Sequence, residues 1–205
     1  MSRNNNDRKR IIATPLIALL MAVVTSIAFA SVFVYYPISV QVSAVDTPVK
    51  IGYGSNSNKP DLGSGNIIQV YVGEGKASLS ITIHPTYQVS YYKNISIITN
   101  TDTRAYNIYI RVVTPIDVPS GGSATLYIYN KGATRSMSGF PTPLPTGYVS
   151  YVDLTTTETT YYIGSLSGGS VYEIDLYVYT PEGASLPLGT AQLHLIYTPS
   201  GETPP

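Results

Sequence analysis

The chain has 205 residues, enough for one sizeable β domain or two small ones, with only 12% charged residues and a formal net charge of zero. Charge balanced in this way gives no electrostatic footprint for nucleic acid, and the absence of Cys excludes a disulfide framework or a thiolate metal site. Nineteen Tyr, 17 Gly and 15 Pro, with no Trp and three Phe, are the composition of many short strands joined by tight turns.

Residues 1–10 are polar and end in Arg8-Lys9-Arg10, an apolar run follows from Ile11 to Ala30, and the run closes on Ala28-Phe29-Ala30. A basic start, an apolar middle and small residues at the two positions a signal peptidase reads, Ala28 and Ala30, predict a secretory signal peptide over residues 1–30. Apolar character continues through Phe33 and Tyr36, so an uncleaved membrane anchor is the competing expectation. Either way, the basic flank stays inside and the rest lies outside the cell. Cleavage after Ala30 leaves eight Lys and Arg against eleven Asp and Glu.

Residues 31–45 read SVFVYYPISVQVSAV. From Ile38 to Val42 the alternation is strict, with Ile38, Val40 and Val42 on one side and Ser39, Gln41 and Ser43 on the other. Val32, Val34 and Tyr36 extend the apolar side, giving the period of a half-buried strand. Two readings of this segment stand on the residues alone. It is the first strand of a self-contained sandwich, or it is a donor strand that fills a groove in the next copy of the chain.

From residue 46 to 197 the pattern predicts about ten strands and no helix. Short strands are expected near Val49 to Tyr53, Asn66 to Val72 and Ala77 to Ile83, the last two joined by a Gly73-Glu74-Gly75 turn. Asn94 to Thr99 and Ala105 to Val113 flank an Asx-type turn, Asn100-Thr101-Asp102-Thr103. Ser123 to Asn130 places Ala124, Leu126 and Ile128 against Thr125, Tyr127 and Tyr129. Residues 131–147, rich in Gly and Pro, are expected to form a surface loop. Strands resume near Tyr148 to Val152 and Thr159 to Ile163. The best-marked strand, Val171 to Thr180, sets Tyr172, Ile174, Leu176 and Val178 against Glu173, Asp175, Tyr177 and Tyr179. A last strand from Thr190 to Tyr197 leaves a polar tail over residues 198–205. The expected fold is all-β, a single jelly-roll or β-sandwich domain.

Candidate chemistry is sparse. His84 and His194 each fall on the polar face of a strand and read as single surface histidines. Glu173 and Asp175 lie two apart on one strand face, the spacing of a carboxylate pair for acid–base work or Ca²⁺. Without an Asp-rich loop around them they read as the solvated face of an edge-proximal strand. Asn94-Ile95-Ser96 is the one N-glycosylation sequon. The Gly-rich stretches lack the Lys and helix of a phosphate loop. The expectation is a non-enzymatic chain without cofactor or metal.

Two stretches, KNISIITNTDTRAYNIYIRVV (93–113) and IGSLSGGSVYEIDLYVYTPEG (163–183), share a form: strand, Asn-Thr-Asp turn, strand, and later a Leu-x-x-Gly turn into a long alternating strand. In this the chain resembles the TasA and camelysin family of biofilm matrix fibres and the archaeal bundling pilins and threads similar to them. The resemblance spans most of residues 31–197. It implies an extracellular structural protein that polymerises with itself by donor-strand complementation, with Val32, Val34, Tyr36, Ile38, Val40 and Val42 as inserted side chains. Tyr127 with Tyr129 and Tyr177 with Tyr179 are expected on outer, wet strand faces and are the expected sites of lateral contact between filaments or with glycans, with membrane contact only through the signal segment. The rival readings are a subunit of the archaeal type IV pilin kind with a helical core over residues 11–36, and a membrane-anchored β domain that does not polymerise.

Overall fold

The computed structural model of the chain describes residues 15–23, 39–41, 43, 46–139, 143–186 and 190–203. Residues 1–44 and 45–205 form two separate units. In the first, residues 15–23 are helical. Among the described residues no helix is long and apolar enough to cross a membrane. Ala28 and Ala30, and Val32, Val34, Tyr36, Ile38 and Val42 of the expected donor strand, lie outside the described residues. Val40 is described: it is 80% exposed, and it and its neighbours Ser39 and Gln41 belong to no strand.

In the second unit the described residues form twelve strands: β1 (Val49–Tyr53), β2 (Gln69–Val72), β3 (Ser78–Thr82), β4 (Gln88–Asn100), β5 (Tyr106–Thr114), β6 (Ser123–Asn130), β7 (Ser136–Ser138), β8 (Leu144–Thr146), β9 (Ser150–Asp153), β10 (Thr160–Leu166), β11 (Val171–Thr180) and β12 (Ala191–Pro199). Ten of them make two antiparallel five-stranded sheets, ordered β1-β4-β11-β6-β9 and β10-β5-β12-β3-β2, packed as a sandwich. The all-β class and the single sandwich domain are as the alternation predicts.

The core is the set of side chains that alternation sends inward. Leu79 and Ile81 of β3, Ile108, Ile110 and Val112 of β5, Leu126 and Ile128 of β6, and Ile174, Leu176 and Val178 of β11 are all buried in one cluster. Each such side chain contributes roughly 1.5–3 kcal/mol on burial.

The two stretches that carry the resemblance dock on one another. The Asx turn forms as expected, with Asp102 N–H donating to Asn100 Oδ1 at 3.0 Å. The fully buried Asn100 amide then reaches across to the other stretch, donating to the Leu166 carbonyl at 3.0 Å. Gly169 N–H returns a bond to the Asp102 carbonyl at 3.1 Å. The approach is so close that a Cβ on Gly168 would stand 2.4 Å from the Thr103 carbonyl oxygen, which is why this turn needs glycine there.

Several boundaries differ from the sequence expectation, among them the start of β2 at Gln69 rather than Asn66 and the end of β10 at Leu166 rather than Ile163. β4 starts at Gln88 rather than Asn94. Its first half pairs with β11 from Thr180 to Leu176, but a bulge at residues 93–95 breaks the alternation and hides the strand from a period-2 reading. β12 runs on through Thr198 and Pro199, which pair with Asn107 and Tyr106, so the C-terminal tail begins two residues later than expected. The surface loop over 131–147 carries a small hairpin, β7–β8.

Candidate assembly surface

Bulge and loop together organise one face of the first sheet. Opposite Asp175 of β11, strand β4 holds three residues, Lys93, Asn94 and Ile95, where a regular ladder would hold one. Asn94 adopts a φ of 46° there, a conformation that Asn tolerates better than most residues. The distortion aims the Asn94 N–H at Asp175 Oδ1, 2.7 Å away. The carbonyls it turns away from β11 are met by the loop after β1: Gly54 N–H donates to the Ile95 carbonyl at 3.2 Å and Asn56 N–H to the Asn94 carbonyl at 3.1 Å. Only Gly fits at position 54, because a Cβ would lie 2.1 Å from the Asn94 carbonyl oxygen.

Asp175 is fully buried, although it sits on the outer face of β11. Residues 131–139 and 143–149 lie over that face and bring Arg135 onto it. Arg135 Nε donates to Asp175 Oδ2 at 3.1 Å, and its Nη2 donates to Glu173 Oε2 at 2.6 Å. Its Nη1 donates to the Ala133 carbonyl at 2.7 Å, and the guanidinium lies 4.4 Å from the centre of the Tyr129 ring. The Tyr91 hydroxyl also donates to Asp175. Burial opposes the Arg135 charge, but the hydrogen bonds to Asp175 and Glu173 outweigh it and hold its pKa above the usual arginine value.

Under the same cover lie Tyr127, Tyr129 and Tyr177, all buried. Tyr148 packs at a tilt against Tyr127 with ring centres 4.9 Å apart, and the Tyr129 hydroxyl donates to the Thr146 carbonyl at 3.2 Å. Burial, with the neighbouring Tyr148 second, pushes the Tyr127 hydroxyl up to about 12. Burial raises Tyr91 further, helped by its bond to Asp175. A tyrosine whose folded pKa exceeds its unfolded value near 10 stays protonated in the fold while the unfolded chain ionises. Stability from this source is intact below pH 10 and falls as pH rises from 10 to 12, by up to about 1.4 kcal/mol per pH unit for each such tyrosine. Guanidinium unfolding midpoints are expected to drop across that window and to drop less in Tyr127→Phe; a flat midpoint from pH 9 to 12 would contradict this placement of the ring.

These placements correct two expectations. Glu173 and Asp175 are not a solvated face of an edge-proximal strand: β11 is the central strand of its sheet and both carboxylates are covered and ion-paired by the one Arg135. Of the tyrosines expected on an outer, wet face, Tyr127, Tyr129 and Tyr177 are buried, and Tyr179 packs against them. The exposed rings are elsewhere, with Tyr148, Tyr151 and Tyr162 around β9 and β10, and Tyr53 and Tyr71 on β1 and β2. Arg135 went unread as a site residue. The available signal was that it is the only charge between residues 132 and 152, in a Gly- and Pro-rich loop that precedes a strand bearing Glu-x-Asp.

The other singled-out residues are dispersed. His84 lies beyond the Thr82 end of β3, its Nδ1 3.0 Å from Asp61 Oδ2, whereas His194 pairs with Ser78 at the opposite end of that strand. Asn94 is half-buried in the bulge, and Ser96 of its sequon is fully buried and donates to the Gly52 carbonyl at 2.8 Å. A glycan at Asn94 would have to be added before β1 and β11 pair with β4. Among the described residues no cluster of His, Cys, Asp and Glu is arranged to hold a metal ion.

The two flanks of the sandwich are unlike. On one, β9 and β10 are consecutive strands, linked by the Ser150 hydroxyl donating to the Tyr162 carbonyl at 3.2 Å. On the other, the edge strands β1 and β2 flank a cleft of about 520 Å³ lined by Ile51, Gly52, Tyr53, Val72, Gly73 and Lys76. Ile51 N–H donates across it to the Lys76 carbonyl at 2.7 Å. One side of β1 is paired with β4, and among the described residues no strand pairs with its other side.

Fold and surface together define an all-β sandwich with a covered polar clamp on one sheet and an open flank at β1 and β2. No protein-family model matches the chain, and no curated protein matches it in sequence.

Proposed function

We propose that this chain is a secreted, non-enzymatic structural subunit of an extracellular filament, a bundling pilus or a biofilm matrix fibre, which grows by donation of the strand 31–45 to the next copy. The observation that carries this reading is the open flank. β1 is the strand that segment 31–45 leads into, it stands at a sheet edge, and the cleft beside it has Val72 at the end of β2 and the turn that follows, Gly73 to Lys76, as its second wall. An alternating segment with an exposed Val40 in the single chain supplies what such a cleft lacks, a backbone to hydrogen-bond and apolar side chains on one side. The exposed tyrosines Tyr148, Tyr151 and Tyr162 are the surface offered to neighbouring filaments or glycans, since each presents a flat apolar ring with a polar tip.

The chain has no Cys, so engineered pairs report contacts cleanly. Oxidation of assembled Val40→Cys/Val72→Cys protein is expected to give a ladder of covalent oligomers. Product that runs only as monomer, cross-linked or not, would count against donation to a neighbour. A second reading rests on the helical residues 15–23, which suit a pilin-like subunit with a helical core over residues 11–36. N-terminal sequencing of the exported protein separates them: Ser31 as the first residue supports the donor strand, Ile11 the helical core, and an intact terminus the anchored β domain.

A further inference from the structure

Between the loop at residues 60–68 and the start of β4 lies a cavity of about 470 Å³ that the filament reading does not use. Asp61 lines it with a carboxylate only 1% exposed. Its Oδ2 accepts from His84 N–H at 2.6 Å and faces His84 Nδ1 at 3.0 Å, and its Oδ1 accepts from Leu62 N–H at 2.7 Å. No Lys or Arg among the described residues forms an ion pair with it. Tyr92 lines the same cavity; it is 6% exposed, and its hydroxyl is buried with no hydrogen-bond partner. That hydroxyl stands near both the Asp61 carboxylate and the Ser90 hydroxyl: burial first, and Asp61 second, raise its pKa, and Ser90 works against them. Ser90, 4% exposed, completes the polar lining, its Oγ accepting from Thr86 N–H at 2.9 Å. Leu62 and Ile68 form apolar wall.

A buried hydroxyl without a partner is unfavourable, and a buried carboxylate whose one ion-pair partner is the exposed His84 ring gains from a further cation, so one incoming group can serve both. Its chemistry is constrained by what remains open. A carboxylate offers about four lone-pair sites, and two backbone N–H groups and the His84 ring nitrogen already face this one. A guanidinium asks for two open sites side by side, and Ca²⁺ asks for several free oxygens. An ammonium needs a single acceptor on the carboxylate and can give its other N–H groups to hydroxyl oxygens, while its methylene stem suits the apolar wall. We propose that this cavity binds a primary ammonium group on an aliphatic stem, with Asp61 as counter-ion and the Tyr92 and Ser90 hydroxyls as further acceptors.

Two sources carry that chemistry, a lysine side chain of another copy and a free alkylamine. The probe is butylammonium chloride titrated into the intact protein and followed by NMR shifts of the His84 and Tyr92 rings, with tetramethylammonium chloride as a cation lacking N–H donors. Saturable shifts are expected with butylammonium alone, and affinity is expected to fall about tenfold or more in Asp61→Asn and in Tyr92→Phe. Tyr92→Phe removes an unpaired hydroxyl, so the unliganded fold is expected to keep its stability, and this variant decides the matter if Asp61→Asn fails to fold. Uptake by dispersed chains but not by assembled ones indicates a lysine from a neighbour; equal uptake by both indicates a free amine. Absence of saturable shifts, an equal response to tetramethylammonium, or unchanged affinity in Tyr92→Phe would overturn the proposal and leave a cavity filled by water only.

Discussion

Arg135→Leu is expected to destabilise the sandwich by about 3–5 kcal/mol, the cost of leaving a buried carboxylate without its partner. Asp175 is fully exposed to that loss, since burial denies it water and Arg135 is the only Lys or Arg that pairs with it among the described residues. Glu173 loses its partner at the same time, and the 131–149 segment loses the side chain that ties it to the sheet. For a domain of this size the melting temperature should fall by roughly 6–20 °C. The triple change Arg135→Met, Glu173→Gln, Asp175→Asn removes the charges together and is expected to recover a large part of the loss, because neutral groups carry far smaller desolvation costs. Denaturant midpoints of the two variants measure this. A cost below about 1 kcal/mol for Arg135→Leu, the range of an exposed pair, would show that the clamp is not holding the loop.

Removal of residues 31–42 from the exported protein is expected to abolish polymerisation and leave chains that still take up a synthetic peptide of that sequence. Burying Val32, Val34, Tyr36, Ile38, Val40 and Val42 would contribute roughly 9–18 kcal/mol, at about 1.5–3 each. Ordering eleven backbone residues costs roughly 11–22 kcal/mol, at about 1–2 each. The two nearly cancel, so net affinity depends on ladder hydrogen bonds along the cleft and on covering apolar surface of the acceptor. Pro37 has no N–H to give to a ladder and marks a break or an edge position in the inserted strand. Lys at Val40 is therefore expected to stop growth, whereas Lys at Gln41 faces away and is tolerated. Electron microscopy of the three variants distinguishes the outcomes. Filaments from the truncated chain, or equal behaviour of Val40→Lys and Gln41→Lys, would remove the strand from the mechanism.

The two expected effects differ in how far the sequence alone reaches. Alternation named the inward residues of β3, β5, β6 and β11 because a strand sends successive side chains to opposite faces, and that geometry is local. The Asx turn at Asn100 to Thr103 was legible for the same reason: its bonds close within a few residues. Local chemistry could not say what covers an outer face. Tyr127, Tyr129, Tyr177, Glu173 and Asp175 follow the rule for outward positions, yet all except Glu173 are buried and Glu173 nearly so, because the loop that follows β6, some forty residues before β11, folds onto them. The bulge at 93–95 escaped in the same way, since its extra residues are held by Asp175 on one side and by the loop after β1 on the other. Sequence by itself determined the period, the turns and hence the all-β sandwich, each fixed by a few neighbouring residues. Tertiary structure alone decided the order of strands, the open flank at β1 and β2 and the closure over Arg135, because these depend on which distant segments meet.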